Sequence, residues 1–300
     1  MVKLENMWAI LSVSAALCWA TSNIIDKTVL TKWVKNPSLP IIISGTAWLV
    51  FGVAIYFIKG LSHLSPLNAF LAILTGAFSI VGWLFYLKAM QIQEASRIVP
   101  LSNLSKVFVL ILAAVFLGEI LTPIKYFGVF LLIAGAILIS INRSFKISFE
   151  KAFWWIVLTA VFYSVNTILI KYLLNFADYW TVFGYKCAGI FISALPVTFL
   201  YFGELAKTVK RHGKRVFIAM AASESITALG ILLSFIAMSI GYVSLVNSLY
   251  ATQPLFVLLF TVLLSIFFPS ILKEEISKST IFLKVLAITS IVLGVILVTS

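Results

Sequence analysis

Residues 88–112, KAMQIQEASRIVPLSNLSKVFVLIL, lie in register over residues 236–260, IAMSIGYVSLVNSLYATQPLFVLLF, at an offset of 148. The overlay pairs Ala89-Met90 with Ala237-Met238, Ser96 with Ser244 and Phe108 with Phe256. A second overlay sets CWATSNIIDK, residues 18–27, on FYSVNTILIK, residues 162–171, at an offset of 144, and Lys27 meets Lys171. The identities are few, and apolar sequences align readily by chance. Two registers only four residues apart still make a duplicated unit the best reading.

Composition says what that unit is made of. The 300 residues are 62% hydrophobic and 11% charged, against about 45–50% and 25% in ordinary soluble domains. A water-soluble fold of this length could not bury so much apolar surface, whereas a bilayer accommodates it. Apolar runs of about 20 residues, the length that crosses a hydrocarbon core, fall near Met7–Leu30, Leu39–Ile58, Leu67–Met90, Ala95–Phe116, Pro123–Ile141, Ala152–Leu174, Tyr179–Phe202, Val216–Ile240, Val243–Phe268 and Ile281–Val298. Turn signals at Asn36-Pro37-Ser38, Ser65-Pro66, Thr122-Pro123 and Phe268-Pro269-Ser270 punctuate them. The runs are continuous rather than alternating, which disfavours a transmembrane β-barrel. The first is too long for a signal peptide and lacks its cleavage site, so it reads as a span.

The expected fold is therefore an all-α membrane protein of ten transmembrane helices. Residues 1–144 and 145–300 form its two five-helix repeats. Five is odd, so the second copy enters the membrane upside down. Inverted repeats of this kind recur in transporters, with the substrate site near midplane between them.

Three motifs carry a resemblance. LCWATSNIIDK closes the first span; ASRIVPLSNLS followed by AAVFLGEILTP occupies the fourth; GVFLLIAGAILIS and, more loosely, ITSIVLGVILVTS end the two halves. In these the chain resembles the ten-helix EamA family of the drug/metabolite transporter superfamily along nearly its whole length. The resemblance implies a transporter with both termini in the cytoplasm. Two departures bear on substrate rather than fold. The mid-helix proline of the second half, Pro254, has Lys106 as its counterpart, and the second copy reads Ser265-Ile266-Phe267 in place of Leu117-Gly118-Glu119.

Charge inside a bilayer costs several kcal/mol, so each charged group needs a partner, a wet cavity or a route to the interface. Lys27, Lys88, Arg97, Lys171 and Lys284 lie near span ends and are expected to snorkel to headgroups. Lys106, mid-way along the fourth span, and Glu224, a third of the way into the eighth, have no such route. Either they form a structural ion pair or they face a central aqueous cavity; Lys186 is a weaker candidate for the same cavity. Polar stripes at helical spacing surround them: Trp19, Ser22, Asn23 and Asp26 in the first span, Tyr163, Asn166 and Thr167 in the sixth, Ser96, Pro100 and Asn103 in the fourth, Ser244, Asn247, Tyr250 and Pro254 in the ninth. Inter-helix packing explains any one of these. Four stripes placed equivalently in two halves favour a shared substrate cavity, with Pro100 and Pro254 as hinges and Asp26 and Glu224 as the coupling acids.

Positive-inside counting puts sixteen Lys and Arg on the side of the loops after spans 1, 3, 5, 7 and 9, and four on the side of the termini. That bias places both termini outside, against the resemblance. The net charge of +12 is thus a membrane feature and not a sign of nucleic acid. Both histidines are expected in loops. The two cysteines lack metal-ligand spacing, no nucleotide-binding motif occurs, and no Ser/His, metal or paired-carboxylate constellation indicates an enzyme. No cofactor or metal is expected. The expected function is secondary-active transport, as exporter or exchanger in the plasma membrane, of a small polar organic solute such as an amino acid. The partners are that solute and the lipid bilayer, and the expected state is a monomer. A carrier or flippase of lipid-linked or sugar-type metabolites is the alternative, ahead of a non-transport membrane protein.

Overall fold

The computed structural model describes residues 6–34, 36, 38–92, 101–140, 151–267 and 278–300, and regular structure among them is helical throughout. The helices are α1 (Met7–Lys32), α2 (Leu39–Lys59), α3 (Pro66–Ile92), α4 (Leu104–Leu117), α5 (Pro123–Ser140), α6 (Lys151–Leu173), α7 (Tyr179–His212), α8 (Lys214–Ile240), α9 (Val243–Leu249), α10 (Gln253–Phe267) and α11 (Lys278–Thr299). Among the described residues seven apolar segments are long enough to cross a bilayer, and Leu104–Leu117, Pro123–Leu138 and Leu283–Thr299 are shorter apolar helices. Large side chains such as Phe57, Phe127 and Phe199 are exposed on the outer faces. That surface belongs against acyl chains rather than water.

The local chemistry explains the boundaries. Prolines open α3 and α5, where the missing N–H is one the helix leaves unpaired anyway. Gly60, Gly118 and Gly213 take positive φ where α2, α4 and α7 end. Asp178 caps α7 by accepting from the N–H groups of Trp180 and Thr181 at 2.9 and 3.1 Å. Burial pushes its carboxyl up, but hydrogen bonds from Thr181, Ser62 and Trp180 outweigh that and hold it below the usual carboxylate range.

Two expected spans take a different form. The seventh continues as helix to His212 rather than ending near Phe202, so His212 is helical, and Gly213 alone separates α7 from α8. The ninth is broken into α9 and α10 by the 3₁₀ turn Tyr250–Thr252, and Pro254 sits in the first turn after the break. A proline ring cannot continue the preceding α-helix ladder, which accounts for the change of pitch.

Packing follows a pattern. α1 lies along α8 and α3 along α6; α2 pairs with α7 and α5 with α11; α4 leans on α6, while α9 and α10 lean on α1. Counting α9 and α10 as one span, exchange of each of the first five spans with its counterpart five later leaves this set unchanged. Small residues permit the close crossings. A Cβ at Gly189 would strike the Ile73 carbonyl, and one at Gly76 would strike the backbone of Gly189 and Ile190, so α3 and α7 touch main chain to main chain. A Cβ at Gly82 would meet side chains alone, the Tyr163 ring at 2.7 Å and the Phe162 Cβ at 3.4 Å.

The difference predicts an order. Gly189→Ala and Gly76→Ala, which press on backbone, are expected to lower stability by about 3 kcal/mol, and Gly82→Ala by about 1 kcal/mol. Thermal unfolding of the purified protein in detergent checks this. Equal melting temperatures for all three variants would contradict the close α3–α7 crossing.

Candidate functional site

Among the described residues, two polar clusters lie between the central helices, and a third polar group sits at the turn between α8 and α9. The first is acidic and joins α1, α2 and α8. Ser22 and Asp26 stand one turn apart on α1; the Ser22 hydroxyl hydrogen-bonds to those of Ser223 and Thr227, both at 2.7 Å. Ser223 donates to Asp26 Oδ1 at 2.5 Å. Glu224 Oε2 accepts from the Ser44 hydroxyl at 3.1 Å and from Trp48 Nε1 at 2.9 Å, both on α2. Asp26 and Glu224 are near enough for their charges to act on one another.

The second cluster is basic and joins α3, α6 and α7. Lys186 is only 2% exposed. Its Nζ donates to the Ser79 hydroxyl at 2.7 Å, the Thr75 carbonyl at 3.3 Å and Asn166 Oδ1 at 3.3 Å, and Asn166 Nδ2 donates to Ser79 at 3.3 Å. An ammonium offers three donors, and all three are used on neutral acceptors.

The sequence registers relate these clusters. The offset of 144 carries Ser22 to Asn166, and that of 148 carries Ser79 to Thr227. The hydrogen bond between Ser22 and Thr227 is therefore the counterpart of that between Asn166 and Ser79. A second contact transforms the same way. Trp19 maps to Tyr163 and Gly82 to Gly230, and a Cβ at Gly230 would meet Trp19 Nε1 at 2.7 Å as one at Gly82 would meet Tyr163. In each half an aromatic ring lies on a glycine of the neighbouring helix. What differs is charge: acids on one cluster, a lysine on the other.

The other expected site residues are distributed as follows. Trp19 and Tyr250 meet edge to face at 4.8 Å, and the Tyr250 hydroxyl bonds to Ser234. Lys106 on α4 is surrounded by protein yet keeps part of its surface open. Glu224 takes its hydrogen bonds from Ser44 and Trp48 rather than from Lys106, so the ion-pair alternative has no support in the geometry. Asn103 is buried; Asn247 is buried with its side-chain oxygen unpartnered. Asn23 is exposed, unlike Ser22 beside it. Pro100, with Ser96 and Arg97, lies outside the described residues. Among the described residues, no group of three or more His, Cys, Asp or Glu could hold a metal ion.

One expected anchor is turned inward. Lys171 does not snorkel; its Nζ donates to the Met238 and Gly241 carbonyls at 2.7 and 2.8 Å, capping the C-terminus of α8. Facing it across the same turn, Glu119 is 5% exposed and caps the start of α9. It accepts from the N–H groups of Val243 and Ser244 at 2.8 and 3.0 Å, and from the Ser244 hydroxyl at 2.6 Å. Gly118, left-handed at φ 65° and ψ 21°, turns the chain so that Glu119 points there. Leu117-Gly118-Glu119 is thus a clamp from the first half onto the second. Lys88, by contrast, stays exposed over the Trp155 ring at 4.9 Å.

Sequence reasoning missed Ser44, Trp48, Thr75 and Ser79. The signal available was weak: Thr75 and Ser79 are spaced one turn apart, and Ser44 interrupts an apolar run.

Residues 6–141 match the EamA-like transporter family. The uncharacterized transporter YxxF of Bacillus subtilis (strain 168) is 30% identical over 134 residues, 44% of this chain and 42% of the relative. An uncharacterized transporter in the cobO 3' region of Sinorhizobium sp is 40% identical over 68 residues, 23% of this chain and 48% of the relative. The chain thus spans less than half the length of the curated relatives it matches. A solved crystal structure superposes with a TM-score of 0.70 at 17% identity, covering 95% of this chain and 95% of that one, which establishes a shared fold. Residues 6–141 carry an EamA-like transporter domain, and with its apolar helices the chain is an integral multi-pass membrane protein. The family and both relatives bear the name of transporters, not enzymes.

Hydrogen bonds to a buried carboxylate contribute about 1.5–3 kcal/mol each. Glu119→Ala is therefore expected to cost about 3 kcal/mol, and Lys171→Met about half as much because only backbone carbonyls lose a donor. Unfolding in detergent measures both. A Glu119→Ala loss under about 0.5 kcal/mol, the range of ordinary surface changes, would contradict the clamp.

Proposed function

We propose that the whole chain is an EamA-type secondary transporter made of two inverted five-helix repeats, 1–144 and 145–300. It moves a small polar organic solute, such as an amino acid or related metabolite, across the plasma membrane. The observation that carries this reading is the interchange of equivalent contacts: Ser22–Thr227 with Asn166–Ser79, and Trp19–Gly230 with Tyr163–Gly82. A duplicated bundle whose halves pack through matched contacts has two related packings of nearly equal energy, which is what alternating access requires.

With successive helices crossing in opposite directions, α2 and α8 start at one face and α3 and α7 at the other. Glu224 and Ser44 lie within about three turns of the first face, and Lys186 and Thr75 within about three turns of the second. The acidic cluster, where Asp26 and Glu224 keep some open surface, and the sealed Lys186 cluster then stand on either side of midplane. Solute enters between them, against Trp19, Tyr250, Tyr163 and Lys106, with Asn103, Asn247 and Asn23 supplying polar contacts. A proton taken up at Asp26 or Glu224 couples the step, and the break at Pro254 lets α10 pivot. The surplus of basic loops keeps both termini outside, and the transporting unit is the monomer.

Flux in proteoliposomes tests this. The wild type is expected to move at least one amino acid or related metabolite, faster under a pH gradient. Lys106→Met is expected to lower flux at least about tenfold, the scale of one lost charged contact. Glu224→Gln and Asp26→Asn are to abolish the response to the gradient while sparing solute counterflow. No flux of any such solute, or a Glu224→Gln protein with the wild-type pH response, would overturn the reading.

A further inference from the structure

α7 is 34 residues long, about 50 Å at 1.5 Å per residue, against a hydrocarbon core of about 30 Å. Its last turns therefore leave the membrane interior. There the sequence changes from apolar to basic: Lys207, Lys210 and Arg211 on α7 and Lys214 and Arg215 on α8 are all exposed. Lys207, Lys210 and Arg211 are spaced i, i+3, i+4, so they share one face of the helix. Gly213, at φ 77°, reverses the chain within one residue and brings the two sets of cations to the same corner.

The corner is held in place. Leu205, Val209, Val216 and Met220 pack against Val29, Val34 and Leu39 at the α1–α2 turn. Glu204, the one acid on this stretch, accepts from the Asn36 amide at 2.7 Å and ties the corner to the same turn. A self-repelling group of five cations would ordinarily splay; here the backbone that carries them is packed on a core.

Immediately toward the membrane the surface is apolar. Phe199, Leu200 and Phe202 on α7 are exposed. One surface thus offers cations at headgroup depth and aromatic and aliphatic side chains at acyl-chain depth. A phospholipid with an anionic headgroup has that same order of charge and hydrocarbon. We propose that the α7–α8 corner is a binding surface for anionic phospholipid, a headgroup phosphate lying among Lys207, Lys210, Arg211, Lys214 and Arg215 and its chains against Phe199 and Phe202. Basic juxtamembrane residues are attracted to anionic lipid, and five on a fixed corner add to a selective site. The inference does not rest on the transport reading.

The full-length protein in detergent is titrated with dioleoylphosphatidylglycerol or dioleoylphosphatidylcholine, and retained lipid is counted by native mass spectrometry. The wild type is expected to retain the anionic lipid over the zwitterionic one by at least about tenfold. With Lys207, Lys210, Arg211, Lys214 and Arg215 all changed to Gln, the preference should fall to within about twofold, and Lys210→Gln/Arg211→Gln should lie between. The double variant carries the test where the fivefold one does not fold. Changing Lys59, Lys88 and Lys151 to Gln instead should leave the preference intact. A preference unchanged in the corner variants, or lost equally in the Lys59/Lys88/Lys151 variant, would overturn the proposal. So would displacement of the bound lipid by millimolar glycerol phosphate, which would mark a site for soluble anions.

Discussion

In hydrocarbon a polar group has no water to fall back on, so every buried donor and charge has to find its partner within the bundle. The interior arrangement follows from that one constraint. Lys186 uses all three ammonium hydrogens on a hydroxyl, a carbonyl and an amide oxygen. Glu119 and Lys171 take up backbone groups at the turn between α8 and α9, where two helix ends would otherwise leave them unpaired. These partners come from different helices, and from both halves of the chain. The polar groups therefore fix which helices are neighbours more firmly than the apolar ones, which are as well solvated by lipid as by each other.

The same constraint gives the two clusters their difference. Ser22, Ser223 and Thr227 of one correspond to Asn166, Thr75 and Ser79 of the other, but one cluster carries carboxylates and the other an ammonium. A bundle with identical clusters would have no reason to favour one packing over the one related to it by a half-turn. In the transport cycle we propose, opposite charges let a proton or a charged solute bias the two packings unequally, since a ligand shifts such an equilibrium only by its differential affinity. The asymmetry is thus the part of the structure that chemistry outside the protein can act upon.

Much of this was legible in the sequence. Hydrophobic runs located the helices because a bilayer enforces length and continuity; the offsets of 144 and 148 relate the contacts at Trp19, Ser22, Ser79 and Thr227 only once the structure shows which helices touch. The limits are equally physical. Hydropathy cannot distinguish an α-helix that stops at the membrane surface from one that continues beyond it, so α7 was expected to end too early. Proximity to a span end could not reveal whether Lys171 points to headgroups or to the open carbonyls of α8. Partners such as Ser44, Trp48 and Thr75 depend on which helices touch, and helix pairing is written only faintly in single positions.

The central claim is that equivalent positions in the two halves open to opposite faces of the membrane in turn. It is tested most directly with Ser79→Cys and Thr227→Cys, each in a background with Cys18 and Cys187 changed to Ala, labelled by a membrane-impermeant thiol reagent from each side of sealed proteoliposomes. The account predicts that the two positions react from opposite faces, and that a transported solute or a change of pH raises one reactivity while lowering the other. Reaction of both from the same face, or responses that rise and fall together, would contradict it.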